Sequence, residues 1–190
     1  IRMSALMHAK TIYVFTHDSL QVGYDGPSHQ PIEQIDMLRS IPNVNVCRPA
    51  DARETFACYK EALLLTQTPS AIVTCRNNLP LLVNSSYEGI KHGAYIIEKE
   101  ENTCDFTIIA TGTEVSLAVE AQEKLLLDNI DARVVSIPCV ELFLQQDAQY
   151  INDVLGCEYN HRLAIEMLSP FGWHRFAPHV MGVEEFGKSG

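Results

Sequence analysis

Short apolar runs alternate with helical patterns through the first part of the chain. The first run, TIYVF at residues 11–15, is β-branched and aromatic and predicts a buried strand. Pro31 suits the first turn of the following helix, and Asp51 can cap the next helix with its carboxylate. The alternation predicts a parallel sheet. The predicted strands are 11–15, 44–47 and 70–75, and the predicted helices are 31–40 and 51–65.

Periodicity is lost at residues 77–92, NNLPLLVNSSYEGIKH, where Asn, Ser, Pro and Gly accumulate. This composition is typical of a linker between domains. A second α/β unit follows, so the predicted fold class is α/β, with two three-layer units whose sheets are mostly parallel. Its predicted strands are 93–97, 105–110, 132–137 and 162–166, with a strong helix at 114–127 and weaker helices near 147–155 and 172–181.

Both ends of the chain look like interior parts of a longer protein. Residues 1–7, IRMSALM, resemble the last turns of an amphipathic helix and do not begin with Met. The final residues, FGKSG, follow a predicted helix in the middle of a loop. We therefore expect a fragment, with an incomplete first unit and a second unit truncated at its end.

The loop at residues 16–31, THDSLQVGYDGPSHQP, carries most of the candidate chemistry. It leaves the carboxyl end of a predicted strand, where open α/β sheets bind ligands. His17 and His29 are flanked by Asp18 and Asp25, a set that suits general acid/base work or hydroxyl recognition. The alternative is that the histidines only satisfy loop carbonyls and cap strands.

Charge limits the possible partners. The 190 residues contain 14 Lys plus Arg against 24 Asp plus Glu, a net charge of −10, and no basic run. Such a field repels polyanions, so nucleic acid is excluded as a partner. An anionic substrate would need a few local cations, which directs attention to Arg76 and the histidines.

The six cysteines are scattered and never have the two-residue spacing of metal-binding knuckles. We expect reduced thiols in the core. The chain has no apolar run of membrane-spanning length and no signal-peptide pattern, so we expect a cytoplasmic protein without a membrane partner.

Several ordered motifs resemble those of transketolases. The loop reads THDS, then VG, then DGPSHQP, close to the family's THDS, VG and DGPTHQP. The resemblance extends through PIEQIDMLRSIPNVNVCRPAD, SAIVTCRNNLP and ATGTEVSLAVEA and covers essentially the whole chain. It implies a partial pyrimidine-binding domain at 1–76, which is half of a thiamine-diphosphate-binding fold, a linker at 77–92, and a C-terminal domain at 93–190. Related deoxyxylulose-phosphate synthases lack the Pro27 and Pro31 context.

The resemblance also implies roles for individual residues. Transketolases move a two-carbon ketol unit from a ketose phosphate to an aldose phosphate. His17 would bind the substrate phosphate with Arg76 as its guanidinium partner, since both can make charge-assisted hydrogen bonds. Asp25 would accept a bond from a sugar hydroxyl, and His29 would be catalytic, exchanging protons near the reacting carbons.

The chain departs from the family pattern at three loop positions, none of which carries an implied functional group. Gln21 replaces a common Gly, Tyr24 a Glu, and Ser28 a frequent Thr. The family's activating glutamate and its diphosphate and metal-binding domain would precede residue 1. Thiamine diphosphate and a divalent Mg or Ca ion therefore belong to the full-length homodimer, and we expect this chain alone to bind neither and to be inactive.

Other residues have competing interpretations. Arg48 either binds an anion or orients the loop through carbonyl contacts, and we favour the second. Thr113 with Glu114 fits a helix capping box better than residues 111–113 fit an anion-binding turn. Trp173 is expected in packing or a subunit contact, like its neighbour His174. The isolated histidines are expected at the surface or behind a site rather than on a metal; they are His92, His161 and His179.

Two other functions fit the sequence less well. A dihydroxyacetone synthase uses formaldehyde, which has no phosphate for His17 and Arg76 to bind. A non-catalytic dimerisation or interaction module would have no need for the acid/base groups of the loop. The leading interpretation is therefore a transketolase portion that supplies recognition of sugar phosphates.

Overall fold

The computed structural model describes residues 1–189, which form an α/β fold with eight strands and seven α-helices. The strands are β1 (Ile12–Phe15), β2 (Asn45–Cys47), β3 (Ser70–Val73), β4 (Tyr95–Glu98), β5 (Phe106–Ala110), β6 (Ala132–Ser136), β7 (Arg162–Ile165) and β8 (His179–Met181). The helices are α1 (Arg2–Leu6), α2 (Gln34–Arg39), α3 (Ala52–Leu64), α4 (Tyr87–Lys91), α5 (Glu114–Leu127), α6 (Val140–Phe143) and α7 (Ala148–Leu155).

The first sheet has the order β1-β3-β2 and is entirely parallel, as predicted. Strands β2 and β3 are buried along their whole length. The predicted strand at residues 11–15 is present, but the prediction that it is buried was wrong, because Val14 is 51% exposed and Phe15 is 38% exposed. Strand β1 pairs only with β3, so within residues 1–189 its outer edge has no partner strand.

The second sheet has the order β4-β6-β5-β7-β8. Only β4 runs antiparallel to its neighbour, so the prediction of mostly parallel sheets is confirmed. Helix α5 has the bounds expected from its apolar periodicity. Strands β5 and β6 are almost completely buried beneath it, which makes this sheet the larger part of the core.

The predicted helix at 172–181 was wrong. That segment contains a short 3-10 turn, Trp173–Arg175, and then strand β8, which pairs in parallel with β7. Pro178 lacks the backbone N–H that a helix interior requires and clashes with the preceding turn, which explains the break. The free edge of β7 then takes residues 179–181 as a strand.

Two further elements differ from the sequence prediction. Helix α2 begins at Gln34 rather than Pro31, because Ile32 donates its N–H to Gln34 Oε1 at 2.8 Å and accepts from the Ser169 N–H at 3.0 Å. Helix α4 lies within the expected linker, where Ser86 Oγ accepts from the Gly89 N–H at 3.0 Å. Helix α3 behaves as expected, with Asp51 as its cap.

The two sheets share a hydrophobic core. One cluster contains Cys47 and Ile72 of the first sheet together with Ile108 and Val134 of the second. Across this boundary the Arg48 N–H donates to Pro138 O at 2.8 Å. The second unit therefore packs directly behind the carboxyl end of β2, a short distance from the loop at 16–31.

All six cysteines are free thiols, as expected, with four of them buried and Cys75 and Cys104 half-buried. Residues 1–189 contain no helix that is both long and apolar enough to cross a bilayer.

Candidate functional site

The candidate site is the loop at residues 16–31, which leaves the carboxyl end of β1. Strand β3 ends beside it, and the Thr74 N–H donates to Phe15 O at 2.9 Å. The loop turns sharply at Gly26, whose φ of +83° suits glycine, and a Cβ there would collide with Ser189. Gln30 Nε2 donates to Gly23 O at 2.5 Å and closes the turn. These contacts fix the loop between the first sheet and the end of the described chain.

The two histidines line one cavity of about 620 Å³. His17 Nδ1 lies 2.8 Å from Thr16 Oγ1, and His29 Nδ1 lies 2.9 Å from Ser28 Oγ. Among residues 1–189, neither ring is bound to a loop carbonyl. Within the described residues the Nδ1 atoms thus contact neighbouring hydroxyls, and neither Nε2 has a hydrogen-bond partner.

The remaining cavity wall is largely apolar. It comes from β1, from the residues around α2 and from the first residue of the chain. Sequence reasoning missed these positions, because an apolar side chain that lines a cavity has the same pattern as one in the core. They include Ile1, Phe15, Met37, Leu38 and Ile41.

Arg76 and Asp25 form a separate pair beside the cavity and are not among the residues that line it. Arg76 Nη1 lies 3.8 Å from Asp25 Oδ2 and donates to Val22 O at 2.5 Å. Both side chains are slightly more than half exposed. The structure thus places His17 with His29 on the cavity and Arg76 with Asp25 beside it. That all four residues contact one sugar stays a prediction.

Arg48 is completely buried and has a structural role rather than a free anion-binding face. Its Nε donates to Asp18 Oδ2 at 2.8 Å, its Nη1 donates to Thr111 O at 3.0 Å and to Glu114, and its Nη2 donates to Thr113 Oγ1 at 3.1 Å. The expectation that it orients the loop is confirmed, although the contact to the loop is a carboxylate rather than a carbonyl.

The electrostatics of Arg48 follow from this set of partners. Burial alone would lower the pKa of its guanidinium. The carboxylates of Glu114, Glu166 and Asp18 outweigh burial, so the pKa is raised above its ordinary value. The side chain therefore stays a cation.

The expected capping box at Thr113 was wrong. Thr113 has helical angles, φ −61° and ψ −26°, and its hydroxyl caps no N–H. The hydroxyl instead donates to Glu114 and accepts from Arg48. The buried Arg48 requires hydrogen-bond acceptors, and this turn supplies them. The sequence could not predict the pair, because Thr113 lies 65 residues from Arg48.

The other residues have ordinary roles. Trp173 is buried in the core, which confirms the packing interpretation, and its Nε1 donates to Glu166 Oε2 at 2.6 Å. His92 lies 3.0 Å from Gln146 Oε1 through its Nδ1. No cluster of three potential metal ligands occurs among residues 1–189. The remaining four histidines are exposed; they are His8, His161, His174 and His179.

The end of the described chain packs on the loop, which the sequence did not reveal. Asp25 and Ser189 form an antiparallel bridge, and a Cβ on Gly187 would collide with Gln30. The second unit therefore packs against the outside of the loop through residues 187–189, none of which lines the cavity.

Comparisons with known proteins agree with the fold and the loop. The family model of the transketolase pyrimidine binding domain matches residues 1–81, and that of the transketolase-like C-terminal domain matches residues 93–190. The transketolase of Bacillus subtilis is 46% identical over 196 residues, which cover all of this chain and 29% of that protein.

Solved structures give the same result. A Pichia stipitis transketolase in complex with sedoheptulose 7-phosphate superposes with a TM-score of 0.94 at 42% identity, over all of this chain and 28% of that one. The Campylobacter jejuni transketolase superposes with a TM-score of 0.90 at 39% identity, over all of this chain and 29% of that one. The chain thus spans less than a third of the length of these relatives, and it belongs to the transketolase family.

Proposed function

We propose that this chain is the part of a transketolase that recognises sugar phosphates, in an enzyme that transfers a two-carbon ketol unit from a ketose phosphate to an aldose phosphate. The observation that carries the proposal is the pair of imidazoles on one cavity at the carboxyl end of the first sheet. Family membership and the sugar phosphate bound by the Pichia stipitis relative support it. We assign residues 1–76 to the pyrimidine-binding domain, 77–92 to the linker and 93–190 to the C-terminal domain.

His29 is the proposed catalytic residue. Its Nδ1 contacts the neighbouring hydroxyl of Ser28, which orients the ring, and we propose that its Nε2 meets the substrate. Imidazole can both give and take a proton near neutral pH, so His29 suits proton exchange with a sugar hydroxyl.

Arg76 and His17 are the proposed phosphate ligands. The Arg76–Asp25 pair is exposed and 3.8 Å long, so it contributes little stability and can open readily. A phosphate offers a guanidinium shorter, charge-assisted and bidentate bonds, which favours exchange of partners. Asp25 is then released to accept a bond from a sugar hydroxyl.

The cofactor of the proposed enzyme is thiamine diphosphate with a divalent Mg or Ca ion. Residues 1–189 bring together no three metal ligands, so this chain does not offer the diphosphate and metal end of such a site, and we derive no step through it. We propose that the chain alone is inactive and that the complete enzyme is a homodimer. Six free thiols suit a reducing compartment, and we propose the cytoplasm.

The test is acceptor specificity in a full-length enzyme that contains these 190 residues. Changing His17 to Asn or Arg76 to Met should raise KM for a phosphorylated acceptor at least about tenfold, the loss of one charge-assisted bond. KM for the unphosphorylated aldose should change little. His161→Asn, an exposed histidine of the second unit, is the matched control. Equal effects on both acceptors would contradict the phosphate assignment.

A further inference from the structure

A continuous network of buried charges connects the second unit to the loop at 16–31. We call Asp18, Arg48, Glu114, Glu166 and Arg39 the buried ion network. Arg48 lies 3.5 Å from Glu166 as well as 2.7 Å from Asp18, and Arg39 binds both oxygens of Glu166 at 2.8 and 3.0 Å. Every side chain in it is at least about nine-tenths buried.

Stability does not explain why such a network exists. Removing charges from water costs about as much as their mutual attraction returns, and apolar residues of similar size often stabilise a core better. The network also holds three carboxylates against only two guanidinium groups. What ion pairs do provide is fixed geometry, because each donor has a directional partner.

At one end, the network holds the backbone next to His17. His17 has a φ of +66°, in the left-handed region that residues with a Cβ adopt uncommonly and at some cost. The next residue, Asp18, is 3% exposed and is held by Arg48 and by Ser19 Oγ at 3.2 Å. This anchor is in place to keep His17 in its strained conformation, with the ring on the cavity.

At the other end, the second unit is shaped to hold Arg48. The turn at 111–113 provides a carbonyl and a hydroxyl, and α5 begins with the carboxylate of Glu114. Gly112 has a φ of +56°, and a Cβ there would lie 2.7 Å from Arg48 Nε. Glycine at this position therefore permits both the turn and the close approach of the guanidinium.

We propose that Arg48, Glu114 and Glu166 are positioning residues for His17, so that the second unit controls phosphate recognition without touching the substrate. The path runs from Glu114 and Glu166 through Arg48 to Asp18 and ends at the adjacent His17. The consequence for phosphate affinity rests on the proposed function, whereas the control of the His17 conformation does not.

The experiment compares two carboxylates of the second unit in the 190-residue chain. Glu114→Gln removes a charge from the network and keeps the shape of the side chain. Glu100→Gln is the matched control, because Glu100 makes a similar bidentate pair with Arg133 at 2.6 and 2.7 Å, at a site without contact to the loop. Thr113→Val, a milder variant that keeps all charges, removes one of the two acceptors near Arg48 Nη2 and leaves Asp18 in place.

Two readouts are needed. The first is the NMR signals of the backbone amides at residues 16–19 and of the His17 ring, in variants shown to be folded by circular dichroism. The second is calorimetric affinity for erythrose 4-phosphate and, for comparison, for erythrose. In Glu114→Gln and Thr113→Val the loop signals should move and the affinity should fall roughly two- to thirtyfold, the range seen along coupled networks. In Glu100→Gln the loop signals and the affinity should both stay as in the wild type, even if the melting temperature of the variant drops.

The outcomes separate the two proposals. Unchanged signals at residues 16–19 in folded Thr113→Val and Glu114→Gln would overturn the positioning role, whatever the affinity. If either variant fails to fold, the other decides, and Gly112→Ala, which displaces the guanidinium sterically, serves as a third. If the loop signals move but the wild type does not prefer the phosphorylated sugar, the positioning role stands and the proposed function fails.

Discussion

Replacing Arg48 by methionine tests how the buried ion network contributes to the fold. Methionine matches the aliphatic part of the arginine side chain and has no charge, so the variant leaves Asp18, Glu114 and Glu166 buried near one another without their central cation. It also leaves the carbonyl of Thr111 without the donor seen at 3.0 Å. The perturbation is the loss of one partner of a buried pair, not the removal of a complete pair.

The expected cost follows from that distinction. Breaking a buried ion pair from one side costs about 3 to 5 kcal/mol, because an uncompensated charge stays in the core. For a chain of this length, this corresponds to a melting temperature lower by roughly 6 to 20 °C. By contrast, Arg76→Met removes a half-exposed pair at 3.8 Å and should cost at most about 1 kcal/mol.

The assay is urea unfolding, followed by circular dichroism and by the fluorescence of Trp173, the only tryptophan in the chain. Orphaned buried carboxylates have a raised pKa, so the folded variant binds more protons than the unfolded chain. The free energy of unfolding of the variant should therefore fall further below that of the wild type between pH 5 and pH 7. A loss of unfolding free energy below about 1 kcal/mol at pH 7, or a loss that is the same at both pH values, would contradict the role of Arg48 as a compensating cation.

Further predictions concern other parts of the molecule. Burial alone would raise the pKa of Glu166, but the two neighbouring guanidinium groups lower it below its ordinary value. Its contribution to stability is therefore present above about pH 4.5 and should be lost below it, as acid unfolding curves of wild type and Glu166→Gln will show. A thiol reagent should modify only Cys75 and Cys104 quickly in the native chain and all six cysteines after unfolding, by absorbance counting. Val14→Lys should reduce self-association through the open β1 edge, and light scattering identical to wild type would contradict that role.

Sequence patterns predicted the elements whose signals are local. Helix α5 and its bounds follow from apolar periodicity, and α3 follows from its cap at Asp51. Strand β8 and the true start of α2 could not be predicted, because both depend on partners elsewhere in the chain. Strand β8 pairs with the edge of β7. Helix α2 is preceded by Ile32, whose carbonyl accepts from the Ser169 N–H.

The same division applies to the site. The histidines stand out in the sequence because polar and turn residues are dense around them. The environment of Arg48 could not be predicted, since its partners come from residues 18, 111, 113, 114 and 166 and meet only when both units fold. The exposure of β1 was missed because a short β-branched run has the same composition in the centre and at the edge of a sheet.

The loop at 16–31 is the proposed sugar-phosphate site. The most direct test follows the ring signals of His17 and His29 by NMR while the 190-residue chain is titrated with erythrose 4-phosphate and, separately, with erythrose. We expect saturable shifts of both rings with the phosphorylated sugar and much weaker shifts with erythrose. If neither ring responds, or both sugars act alike, the proposal is contradicted.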